Sequence, residues 1–120
     1  MARIHHNLLA WQEGIVLTKM IYKLTDVFPQ QEQYGLTSQM RRAAVSVPSN
    51  IAEGAGRGSG KEFIRFLVIA RASLSELETQ LILAKELNYI NEAKNVLMEI
   101  DHLFRLISGL IKSLKNKESV

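Results

Sequence analysis

The sequence predicts an all-α protein, an antiparallel up-down-up-down four-helix bundle spanning residues 1–120 as a single domain. Three observations carry this. Apolar residues recur at steps of three and four through most of the chain, and no alternating strand pattern competes with them. Only two prolines and seven glycines interrupt 120 residues. The connections between the periodic segments are short, which makes consecutive helices antiparallel neighbours.

The first helix is expected over about Asn7 to Phe28, with Asn7 as its N-cap. Leu8, Trp11, Ile15 and Tyr22 mark one apolar face, and Leu9, Val16, Met20, Leu24 and Val27 an adjoining one. Pro29 ends it, because the residue before a proline is pushed out of the α region. The segment PQQEQYG then reads as a polar loop.

The second helix is expected from Leu36, with Thr37 or Ser38 available as a cap. Pro48 lies in its middle, where it removes a backbone donor and crowds the Ala44 carbonyl, so a kink near Val47 is expected. Ser46, Ser49 and Asn50 are close enough in sequence to bond the freed groups. Gly54, Gly56, Gly58 and Gly60 then end the helix.

The third helix has a start signal in Ser59 and Glu62, the spacing of a capping box. Phe63, Leu67, Ala70, Leu74, Leu77, Leu81 and Ala84 form its core seam. Phe66, Ile69, Ile82 and Leu83 form a second ridge. The fourth helix is expected from an Asn91 N-cap, with Leu97, Ile100, Leu103, Ile107, Leu110 and Leu114 facing inward. Frayed ends are expected at about 1–6 and 115–120. The first and third helices are apolar over more than one face, which predicts surface left for another subunit.

Composition sets outer bounds. Apolar residues make up 47% of the chain and charged ones 22%, an ordinary globular mixture. The absence of cysteine excludes disulfides, thiolate metal sites and a cysteine nucleophile, and suits a reducing cytoplasm. The apolar run in MARIHHNLLAWQEG is too short for a signal peptide. No run approaches the ~20 apolar residues of a membrane span, so no membrane partner is expected.

Net charge is +3, but its distribution says more. Residues 41–71 and 102–120 are basic and residues 72–101 acidic. Arg41, Arg57, Lys61 and Arg65 are the candidate contacts to nucleic-acid phosphates. The plainer reading is a solvated surface of mild bias.

Two further patterns compete with bland explanations. Arg42, Ser46, Asn50 and Glu53 form a polar stripe on the second helix, matched by Ser73, Glu76 and Gln80 on the third. Together they predict a buried polar network at a helix or subunit interface, with a polar pocket as the functional alternative. GAGRGSGKE looks like a phosphate loop but fails on spacing. Ala55 stands where a Walker loop needs glycine, and Glu62 follows Lys61 where it needs serine or threonine. Its helix N-terminus, Arg57 and Lys61 still suit a phosphate, though helix-breaking turns of this composition are common. Glu99 and His102 make one Glu-x-x-His. Dimetal bundles need two such motifs and two more inward glutamates, so no metal and no other cofactor is expected, and no catalytic residues are assigned.

The segments YGLTSQMRRAAVSVPSNIAEGAGR and EFIRFLVIARASLSELETQL, with Trp11 and TDVFP ahead of them, resemble the 23S rRNA-intervening sequence protein family. The likeness covers most of the chain. It implies a four-helix bundle assembling as a ring-like homo-oligomer, often a pentamer. A more distant resemblance is to the accessory protein of diversity-generating retroelements, which implies binding to RNA or DNA and to a nucleic-acid-processing protein. The expected function is therefore a non-enzymatic, homo-oligomeric accessory protein that binds nucleic acid with weak sequence preference. A protein-interaction scaffold with no nucleic-acid role is the alternative, and an enzyme with a site between subunits ranks third.

Overall fold

The 3.6-residue periodicity resolves into four helices in the computed structural model, which describes residues 3–118. They are α1 (Leu9–Thr25), α2 (Leu36–Ala55), α3 (Gly60–Glu86) and α4 (Lys94–Glu118), with single 3-10 turns at Ile4–Asn7 and Gln30–Glu32. Among the described residues there is no strand. The chain expected to be frayed is helical at Ile4–Asn7 and up to Glu118. The outermost residues, 1–2 and 119–120, lie outside the described residues.

Contacts between consecutive helices run in opposite chain directions, as in an antiparallel bundle. Thr18 meets Ala44 while Arg41 meets Thr25, and Ser46 meets Ser73 while Gly54 meets Phe63 and Phe66. The core is apolar and continuous. Leu17, Ile21, Met40, Val47, Ile51, Leu67, Leu74, Leu77, Leu81, Ile100, Leu103 and Ile107 are all fully buried. Most of the expected α3 seam is buried, Phe63 only partly. The second α3 ridge is not: Ile69, Ile82 and Leu83 lie on the surface of this chain, as do Leu9, Ile15, Val16 and Tyr22 of α1.

Helix ends depart from expectation in instructive ways. Leu8, not Asn7, precedes α1, and no side chain caps it. The helix ends at Thr25 rather than Phe28, so that Phe28 turns in against Tyr89, ring centroids 5.5 Å apart. Neither Thr37 nor Ser38 caps α2. Glu32 does so from one turn upstream, its Oε1 accepting from the Leu36 N–H at 3.0 Å. Ser59 caps α3 as expected, accepting from the Glu62 N–H at 3.1 Å. At α4 the cap is Glu92, not Asn91: its Oε1 accepts from the Lys94 N–H at 2.7 Å. Carboxylates serve here because they also complement the positive end of the helix.

Pro48 is accommodated without breaking α2, which runs on to Ala55. The freed Ala44 carbonyl is met from α1, not from Ser46, Ser49 or Asn50: the Thr18 hydroxyl lies 3.1 Å from it. Gly14 allows the approach. A Cβ there would sit 3.2 Å from Pro48 Cβ.

Glu32 also joins the two connections at one end of the bundle. Its second oxygen accepts from the Tyr89 hydroxyl at 2.7 Å. The Leu36 amide, then the Tyr89 hydroxyl, hold its carboxyl below the ordinary range, against a small opposing effect of burial. The same bond raises the Tyr89 phenol. A carboxyl depressed on folding stabilises above its unfolded pKa, and this is lost as pH falls through the folded value. Glu32→Gln is therefore expected to melt lower than wild type at neutral pH, with the gap closing in acid. Thermal melts across that range check it; a gap independent of pH would show that the charge is not what matters.

Candidate functional site

The basic residues gather at the end of the bundle opposite Glu32 and Tyr89. α2 and α3 approach closely there because Gly54 has no side chain. A Cβ on it would lie 2.8 Å from Phe66 Cβ and 3.2 Å from the Phe63 carbonyl oxygen. The chain then turns through Gly58, whose φ of +79° favours glycine. This tight turn projects Arg57 and Lys61 outward, and both are exposed. Arg65 follows one turn later on α3.

Phe66 organises the two arginines. The Arg57 guanidinium lies 4.9 Å and that of Arg65 5.5 Å from the centroid of its ring. Such contacts contribute about 0.5–1 kcal/mol each at exposed sites. Each arginine also has an acidic neighbour, Arg57 with Glu53 at 3.3 Å and Arg65 with Glu62 at 3.6 Å. These surface pairs are worth roughly 0–1 kcal/mol, so a phosphate can compete for either guanidinium. α4 adds charge at the same end. Arg71 of α3 reaches Ser108 of α4, 3.2 Å away. Antiparallel register from that contact carries Lys112, Lys115 and Lys117 toward the level of Arg65 and Lys61.

Arg41 is not part of this patch. It lies more than about 20 Å away along α2, where it closes the C-terminus of α1. Its Nε donates to Thr25 Oγ1 at 2.9 Å, and one terminal nitrogen reaches both the Tyr22 carbonyl and Asp26. The guanidinium also covers the Tyr22 ring at 4.6 Å. A cation at a helix C-terminus satisfies its last carbonyls and complements its dipole, so Arg41 has a structural role.

The expected seven-residue polar network is only partly assembled within one chain. Ser46 Oγ lies 2.8 Å from Ser73 Oγ, and Asn50 Nδ2 donates to the Ser46 carbonyl and hydroxyl at 2.8 and 2.9 Å. Gln80 is buried and donates to Glu76 at 3.4 Å, while its own Oε1 is buried without a donor. Arg42, Glu53 and Glu76 are not enclosed with them. Arg42 faces an open groove with Gln39, Glu76, Thr79, Gln80 and Leu83, and Glu53 pairs with Arg57 instead. A stripe this long wraps around the helix, so its ends leave the α2–α3 seam while its middle stays in it.

Glu99 and His102 are brought together as their spacing required, Glu99 Oε1 3.7 Å from His102 Nδ1. Sequence spacing did not reveal that Glu13 of α1 faces them, since only packing of α1 on α4 brings it there. No helix among the described residues is long and apolar enough to cross a membrane.

Comparison with known proteins agrees with this architecture. The family described as 23S rRNA-intervening sequence protein matches residues 6–109. A crystal structure of a protein of unknown function from the S23 ribosomal protein family of Bacteroides thetaiotaomicron superposes with a TM-score of 0.62. It is 22% identical, over 88% of this chain and 94% of that one, a likeness that speaks to the fold alone. No curated protein matches the chain.

Proposed function

The chain belongs to the 23S rRNA-intervening sequence protein family, and from that premise we propose that it is a non-enzymatic, homo-oligomeric bundle that binds nucleic-acid phosphates with little sequence preference. The observation that carries this is the basic end: Arg57 and Arg65 held over Phe66, with Lys61 exposed at the tip of the α2–α3 turn. Guanidiniums and an ammonium on a convex turn suit backbone phosphates. With Phe66 engaged by two arginines, little aromatic surface is left for stacking bases, so readout is electrostatic. The retroelement resemblance points the same way by fold analogy.

Assembly multiplies the patch. The exposed Ile69, Ile82 and Leu83 on α3, and Leu9, Ile15 and Val16 on α1, supply apolar surface for other subunits. Five is the number the family resemblance implies. That same surface also favours the second reading, a protein-interaction scaffold without nucleic acid.

Titration of structured RNA and duplex DNA at two salt concentrations, with particle mass followed by light scattering, tests the proposal. The wild type is expected to run as an oligomer and to bind both nucleic acids at low salt, losing affinity steeply as salt rises. Arg57→Glu/Lys61→Glu is expected to weaken binding to all sequences alike and to lower the salt slope by about one for each phosphate left unneutralised. Failure of the wild type to bind at low salt leaves the scaffold. An unaffected double variant moves the binding surface elsewhere, and a monomer at micromolar concentration removes the assembly.

A further inference from the structure

The packing of α1 on α4 creates a cluster that the proposed function does not use. Glu13 faces α4 from α1, and Glu99 and His102 lie three residues apart on α4. One side-chain ligand atom from each residue lies within 4.8 Å of the other two, the sole such grouping of three among the described residues. Glu99 Oε1 is 3.7 Å from His102 Nδ1, and Glu99 Oε2 is buried and accepts no hydrogen bond. A buried carboxylate oxygen with no donor is costly. Two carboxyls at this distance call for a positive charge between them or a proton on one.

We propose that Glu13, Glu99 and His102 form a site for a divalent first-row transition metal, of which Zn²⁺ is the natural probe. Two carboxylate oxygens and one imidazole nitrogen are a mixed donor set that suits Zn²⁺ or Mn²⁺ better than Mg²⁺ or Ca²⁺, which prefer oxygen alone. Ligand atoms about 2.1 Å from one tetrahedral ion lie about 3.4 Å apart. The three ligand atoms lie within 4.8 Å of one another, so the cluster closes by up to about 1.4 Å to seat an ion. His102 is partly exposed and Glu99 mostly buried, so the cluster can be reached from solvent on the His102 side. The ion would tie α1 to α4. This is a single-ion site: the chain's one Glu-x-x-His, completed by a third ligand from another helix.

Chelator-treated protein melted with added Zn²⁺, Mn²⁺ or Mg²⁺, with calorimetry for stoichiometry, tests it. Zn²⁺ is expected to bind at one ion per chain and raise the melting temperature saturably, by about 10 °C at one hundred times its Kd. Mg²⁺ should do far less. Glu13→Gln and His102→Ala should each weaken binding at least tenfold, while His5→Ala/His6→Ala should leave it unchanged. No Zn²⁺ or Mn²⁺ effect, with Glu13→Gln stabilising the protein by itself, would overturn the site in favour of a shared proton. Binding that survives both Glu13→Gln and His102→Ala would place the ion elsewhere and overturn it equally.

Discussion

Valine in place of Gly54 is expected to destabilise the protein by about 1–3 kcal/mol, the usual cost of overpacking a tight interface. The space is already taken: a Cβ would meet Phe66 Cβ at 2.8 Å, Phe63 Cδ1 at 3.0 Å and the Phe63 carbonyl at 3.2 Å. The ring of Phe63 can rotate away, but its carbonyl is backbone and the Phe66 Cβ is fixed to α3, so the helices must part. Alanine intrudes too, though it recovers up to about 1 kcal/mol of helix propensity over glycine. Gly54→Ala should thus fall between wild type and Gly54→Val. Parting α2 from α3 also moves Arg57 away from Phe66, so the valine variant should lose nucleic-acid affinity as well as stability. Urea melts and the binding titration check both. A wild-type melt for Gly54→Val would mean that the close approach of α2 and α3 is not required.

Thr18→Val is the second large effect. Pro48 cannot donate to the Ala44 carbonyl, and Ala44 is fully buried. The Thr18 hydroxyl supplies the missing donor, its one proton placed between the Gly14 carbonyl at 2.8 Å and that of Ala44 at 3.1 Å. Valine keeps the shape and removes the donor, leaving a buried acceptor unsatisfied at a cost of about 1–3 kcal/mol. A double-mutant cycle isolates the cause. In a Pro48→Ala background the helix regains its own N–H, so Thr18→Val should cost much less there. Equal costs in both backgrounds would mean that the hydroxyl does not serve the proline.

The helices themselves are legible in the sequence because apolar periodicity is a local signal. So is the Ser59 cap on Glu62, which depends on residues three apart. Partnership between helices is what a single chain of letters does not supply. Asn7 and Asn91 have the right chemistry for caps but lose to the chain's path, and Glu32 and Glu92 take that work from connections that look merely polar. Arg41 carries the expected charge, yet the C-terminus of α1 claims it. The polar stripe holds at Ser46, Asn50 and Ser73, whose spacing keeps them in the α2–α3 seam. Arg42, Glu53 and Glu76 lie exposed outside that seam on the single chain. Glu13 gives no signal, since nothing along the sequence relates it to Glu99.

The bond from Tyr89 to Glu32 joins residues 57 positions apart, whereas the opposite end of the bundle is closed by neighbours such as Gly54 and Phe63. Closing the longer loop carries the larger entropic cost, and contacts distant in sequence form late. The two ends therefore differ in when they are made. The α2–α3 hairpin, carrying the basic turn, can form early from local contacts. The end sealed by Glu32 and Tyr89 needs the α1–α2 and α3–α4 connections to be brought together first.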